Sequence, residues 1–225
     1  MASSHGGKKM WCVPTLDEEY VERMTEVVEL YEQPYDERLP VVCLDEKLVE
    51  LREDARPPKR VKGAVYRDHE YRRRGTANLF MLTEPKGGRH YVRVTRRRTA
   101  VDFAKCLRFL AKRYPDAITI HLVMDNLNTH CEKSLITAFG VVEGRRLCGR
   151  FTVHYTPKHG SWLNQAEIAL CVMTRACLAR QRIPSIDALR NRVVPFWAQR
   201  RRDRWTIDWR WTTPHMKDWV NSSGT

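Results

Sequence analysis

Two short runs of buried-strand type, the first of them uninterruptedly apolar, limit what this chain can fold into, and each is followed by an aspartate. Residues 41–44, VVCL, are followed by Asp45, and residues 118–124, ITIHLVM, by Asp125. A strand that is apolar at nearly every position has no solvent-facing side, so it lies inside a sheet covered on both faces. Sheets of that kind are built with helices as the covering layers. In open α/β sheets ligands bind beyond the carboxyl ends of the strands, which is where Asp45 and Asp125 stand.

The segments between these runs fit the same plan. Residues 15–18, TLDE, form a capping box, and Leu16, Tyr20, Met24 and Tyr31 follow at helical spacing until Pro34. The charged face of this helix reads as that of an outer or linking element. Residues 45–75 are rich in Arg, Lys and Pro and read as an extended surface segment. Residues 77–82 and 90–95 have strand composition and flank EPKGGR, a hairpin-turn sequence. Residues 99–114 predict an amphipathic helix, with Phe103, Cys106, Leu107, Leu110 and Tyr114 on one face. After Asp125, the turn and capping types Asn126, Asn128, Thr129 and His130 predict a helix through Phe139. Residues 151–155 read as the last strand, and a final helix starts near Ser185. The predicted class is α/β with a mixed five-stranded sheet and helices on both faces, its first strands antiparallel and its later ones joined by helical crossovers. The first and fourth long strands become neighbours if the crossover helix returns beside the first.

Residues 155–173, YTPKHGSWLNQAEIALCVM, carry the third carboxylate. Ser161 reads as an N-cap and residue 162 onward as one long helix that is apolar on nearly every face, hence buried. Glu167 falls between Ala166 and Ile168, where a charge needs a cation, a set of donors or a raised pKa. Each carboxylate has a plain structural alternative: Asp45 as a strand-end residue, Asp125 as a turn cap, Glu167 in an ion pair with Arg. If the three converge, they repel one another unless a divalent cation joins them.

Composition points to the partner. Lys+Arg number 40 against 27 Asp+Glu, giving a formal net charge of +13, with arginines bunched at 72–74, 96–98 and 200–202. A polyanion, foremost nucleic acid, is the expected partner. The seven Cys are odd in number, without a C-x-x-C pair, and fall mostly in apolar runs, which predicts reduced core residues. No apolar run approaches the ~18 residues that span a bilayer, so the expectation is no membrane partner and a cytoplasmic, nucleoid-associated protein. There is no zinc-type His/Cys cluster, P-loop or G-x-S-x-G.

Four stretches together, VVCLDEK (41–47), RRRGTANLFM (72–81), LVMDNLNTH (122–130) and YTPKHGSWLNQAEI (155–168), resemble the catalytic domain of bacterial insertion-sequence DDE transposases of the mariner-related branch. The resemblance implies an RNase H-like fold with Asp45, Asp125 and Glu167 as catalytic, metal-holding residues. It implies two magnesium ions, with manganese able to substitute. It further implies cleavage of DNA phosphodiesters and transfer of a 3′-hydroxyl into target DNA at TA. The partners expected are double-stranded DNA, as element ends and target, and a second copy of the chain, as a homodimer in the DNA complex. Arg72, Arg73, Arg74, Arg96, Arg97, Arg98, Lys158 and His159 are candidate DNA contacts, and Asn126, His130 and Asn164 candidate positioning residues. An RNase H-like nuclease without strand transfer and an inactive DNA-binding remnant are the competing readings. The expected organisation is a disordered lead (1–10), a linking helix (11–40), the catalytic domain (41–204) and a Trp-rich tail (205–225). Family members usually carry a helix-turn-helix region that this chain lacks ahead of Trp11, and Arg202-Asp203 stands where Arg-Asn is common. A catalytic fragment or truncated reading frame is expected.

Overall fold

A computed structural model describes residues 16–125, 131–179 and 181–223. Helix α1 (Glu18–Glu32) leads into β1 (Val41–Asp54), and β2 (Lys59–Val61) and β3 (Ala64–Tyr66) follow. Next come β4 (Tyr71–Glu84), β5 (Arg89–Thr95), α2 (Ala100–Arg113) and β6 (Ile120–Asp125). Then follow α3 (Cys131–Phe139), α4 (Val141–Cys148), β7 (Phe151–Thr156), α5 (Ala166–Met173), α6 (Ile186–Arg202) and α7 (Thr213–Ser223). The main sheet has five strands in the order β5-β4-β1-β6-β7. Strands β4 and β5 form an antiparallel hairpin beside β1, whereas β6 and β7 run parallel to β1. The first long strand and the one ending in Asp125 are therefore neighbours.

Side-chain alternation builds a core on each face of the sheet. Cys43, Leu79, Met81 and Val123 point to one side, where α1, α5 and α6 cover them. Val42, Leu44, Phe80, Leu82, Leu122 and Met124 point to the other, beneath α2, α3 and α4. Residues 77–84 of β4 are buried without exception, as a strand covered on both sides requires. Helix α2 starts on a complete capping box between Thr99 and Asp102, so its boundary is set by local chemistry.

Four features differ from the sequence-based expectation. Strand β1 continues to Asp54 and pairs with β4 across a bulge between Glu50 and Arg52, so the Arg-rich stretch is a two-stranded ribbon. Cross-strand ion pairs hold it, Arg73 Nε to Glu50 Oε1 at 3.0 Å and Arg74 Nε to Glu53 Oε2 at 2.9 Å. At its tip β2 and β3 join through Lys62 (φ 48) and Gly63 (φ 80), the two positive φ values of a tight hairpin turn. Second, α1 is not peripheral: Tyr20, Met24, Val27, Val28 and Tyr31 are buried in the first core. Third, the Trp-rich C-terminal segment packs on that core, Trp209 edge-on to Tyr31 at 5.5 Å and Trp211 to Trp162 at 4.8 Å. Fourth, Cys171 is exposed, while Cys43, Cys106, Cys131 and Cys177 are buried, and all the described cysteines are free. Among the described residues no helix is long and apolar enough to cross a membrane.

Candidate active site

The parallel pairing of β1 with β6 places the two aspartates side by side. Leu44 is in register with Met124, and Asp45 and Asp125 are the next residues on their strands. By alternation both carboxylates leave the sheet on the side of Cys43 and Val123, beneath α5.

Glu167 arrives from that covering layer, but not as predicted. Residues 162 onward are not one helix: a 3₁₀ turn (Ser161–Leu163) is separated from α5 by Asn164 and Gln165, and Gln165, not Ser161, is the residue before α5. The break has a tertiary cause. The Asn164 side-chain amide donates to the Leu44 carbonyl at 2.8 Å, and its Oδ1 accepts from the Ala166 N–H at 3.1 Å. From the other side the Tyr31 hydroxyl donates to the Leu163 carbonyl at 2.9 Å. These bonds tie the start of α5 to β1 one residue before Asp45. Glu167 thus lies in the first turn of α5, where the helix dipole favours an acid, and it is exposed rather than buried in the apolar core. Among the described residues no Lys or Arg forms an ion pair with Asp45, Asp125 or Glu167.

The electrostatics of Asp45 reflect burial first and the charges of Asp125 and Glu167 second. Burial pushes the Asp45 carboxyl up to about 7, a rise that the charges of Asp125 and Glu167 reinforce and that the Glu46 N–H, donating to Oδ1 at 2.7 Å, opposes. Asp125 accepts from the Thr156 hydroxyl at 2.9 Å, across the register pair formed by the ends of β6 and β7. On the opposite face of β1, burial raises the Glu46 pKa, and Arg98, 3.2 Å away, counters it. A divalent cation suits this donor set, because three carboxylates without a basic partner lose their mutual repulsion on sharing one. Among the described residues no three such side chains are gathered closely enough to hold an ion.

The remaining predicted residues fall into groups. Asn126 and His130 lie outside the described residues. Lys158 and His159 are exposed in the turn between β7 and Glu167, His159 with φ 66. Gly160 closes that turn, since a Cβ there would meet the Pro157 ring at 2.5 Å. Arg96 and Arg97 line an open cleft of about 600 Å³ with Arg74, between the ribbon and the start of α6. Arg73, Arg74 and Arg98 are already in ion pairs with Glu50, Glu53 and Glu46. Arg72 is exposed on the ribbon. Sequence reading missed Thr156 and Glu46; strand register alone brings Thr156 to Asp125, and no spacing in the sequence marks it.

Replacing Thr156 by Val keeps the volume and removes the hydroxyl. Metal-dependent cleavage is expected to fall about tenfold, with a stability loss of about 1 kcal/mol. Full activity in Thr156→Val would reduce Thr156 to a packing residue.

A mixed five-stranded sheet of this order, covered by helices on both faces, is that of an RNase H-like domain; Asp125 ends β6 as expected, whereas Asp45 stands inside β1, which runs on to Asp54, and not at a strand end. The chain belongs to the DDE superfamily endonucleases, whose family model matches residues 40–190. Solved structures agree in fold. The Mos1 mariner paired-end complex with Mn matches with a TM-score of 0.53 at 17% identity, covering 96% of this chain and 66% of that one. The Mos1 transposase paired-end complex with the left transposon end gives 0.55 at 16% identity, with the same 96% and 66% coverage. The Mos1 strand transfer complex gives 0.53 at 17%, covering 96% and 65%. The chain thus spans 65% to 66% of the length of these transposase chains. No curated protein matches it by sequence.

Proposed function

We propose that this chain is the catalytic domain of a DDE-type transposase, cleaving DNA phosphodiesters and joining a DNA 3′-hydroxyl to target DNA, at TA steps. What supports the reading is that Asp45 and Asp125 stand next to each other on paired strands, facing α5, whose first turn carries Glu167, with no Lys or Arg ion-paired to any of the three among the described residues. Asp45, Asp125 and Glu167 are the donors that would hold a pair of divalent cations, magnesium or manganese, which when bound would supply charge stabilisation for both the attacking and the leaving oxygen of an in-line displacement. The protein's own part is positioning. Thr156 orients Asp125, the Glu46 N–H orients Asp45, and Asn164 fixes the distance between β1 and the helix bearing Glu167. Lys158, His159, Arg72, Arg96 and Arg97 are exposed or line the open cleft, where they would hold backbone phosphates without reading sequence. TA steps unstack readily, which lowers the cost of bending target DNA into such a site. The proposed assembly is a homodimer on double-stranded DNA, one that would hold two element ends together.

The test is incubation with pre-cut element ends, a target plasmid and magnesium or manganese. Joined products, absent with Asp125→Asn, are the expected result. Cleavage without joining would make the chain a nuclease, and binding without either would make it an inactive remnant.

A further inference from the structure

Away from the three carboxylates, at the other end of the strands, the β4–β5 turn and the chain leaving α6 enclose a cleft of about 430 Å³. Four cations line it, Lys86, Arg89, Arg201 and Arg204, and Glu37 is the acid in its wall. Asp45 pairs with Met81, whereas the cleft begins beyond the Glu84–Arg89 pair, three residues, or about 10 Å, further along β4. The phosphate at the carboxylates is therefore not the one this cleft would hold.

Arg204 is the informative residue. Helix α6 ends with Trp205 N–H donating to the Arg200 carbonyl at 2.9 Å and Arg204 N–H to the Arg201 carbonyl at 3.2 Å. This paired closure needs a left-handed residue just past the helix, a place that Gly normally fills. Here Arg204 fills it, at φ 49, a conformation that side chains disfavour. The neighbouring backbone is fitted around it: Gly88 has φ 64, and a Cβ on it would stand 2.9 Å from the Arg204 carbonyl carbon. The Arg204 side chain is exposed, and no ion pair among the described residues uses it. Two of the other cations are already held in place. Arg201 donates to the His90 carbonyl at 3.1 Å and lies over Tyr91 at 4.9 Å, and Arg89 lies over Tyr114 at 5.3 Å while answering the buried Glu84 at 3.6 Å. Fixed guanidinium forks suit phosphate better than mobile surface lysines do.

We propose that this cleft binds the phosphodiester backbone of duplex DNA, at a segment distinct from the one at the carboxylates. The inference rests on the reading of the chain as a DNA-processing enzyme. The position of Arg204 makes a clean test available, because glycine there relieves the backbone while deleting the charge. In fluorescence anisotropy with a labelled duplex, Arg204→Gly is expected to lower affinity about three- to tenfold and to reduce the log-log salt slope by about one, with melting temperature unchanged or higher. Arg204→Asn, neutral but tolerant of the left-handed conformation, should behave alike, and Arg204→Lys should keep most of the affinity. Equal affinity and slope in the unaltered chain, Arg204→Gly and Arg204→Asn overturn the site alone. No duplex binding by the unaltered chain overturns the functional reading and the site with it. Thermal protection by inorganic phosphate that Arg204→Gly abolishes, with duplex affinity unchanged, marks a free-anion site and overturns the DNA assignment.

Discussion

In metal-free buffer at about pH 8, Asp45→Asn is expected to melt at a higher temperature than the unaltered protein, by about 5–10 °C, and to reduce metal-dependent cleavage about a thousandfold. The Asp45 carboxyl has a folded-state pKa of about 7 against an ordinary value of 3.8, so between these the folded state binds more protons than the unfolded one. The associated stability is fully present below the ordinary value and is lost as pH rises through the folded one. At pH 8 the unaltered protein carries the whole cost of the buried charge beside Asp125 and Glu167, on the order of 2–4 kcal/mol. Asparagine removes that charge and keeps an oxygen for the Glu46 N–H. Adding magnesium or manganese should raise the melting temperature of the unaltered protein and leave that of Asp45→Asn nearly unchanged. A variant that melts like the parent at both pH 4 and pH 8 (roughly the two ends of the window) and still cleaves DNA would remove Asp45 from the site.

Asn164→Ala is expected to be costly in a second way. Asn164 is fully buried, and its loss leaves the Leu44 carbonyl and the Ala166 N–H without their partner, a cost of about 2–4 kcal/mol. Because the same side chain sets the distance from β1 to α5, cleavage measured well below the melting temperature should also fall about 10- to 100-fold. The metal concentration for half-maximal activity should rise, which a purely structural role would not produce. An unchanged metal requirement, with activity lost only in step with unfolding, would make Asn164 a brace for the core.

The features legible in the sequence were those with local causes. Strands β1 and β6 showed themselves as apolar runs because burial on both faces leaves no polar alternation, and Asp45 and Asp125 stood out as the first charges after them. The Thr99 capping box and the 84–89 turn set their own boundaries through bonds a few residues apart. The motifs around Asp45, Asp125 and Glu167 carried the family. Pairings between distant residues decided the rest. The ribbon of β1 with β4 is polar and exposed, so its strands show no hydrophobic period, and Arg73 finds Glu50 only once the chain has doubled back. Residues 162 onward have the composition of a continuous helix, yet a bond from Asn164 to a carbonyl 120 residues earlier interrupts it and delivers Glu167 to the surface beside Asp45. Sequence thus marked Asp45, Asp125 and Glu167 as the candidate groups, through burial and local hydrogen bonding. Tertiary structure alone decided where they stand relative to one another, because sheet order and strand register depend on contacts between residues far apart in the chain.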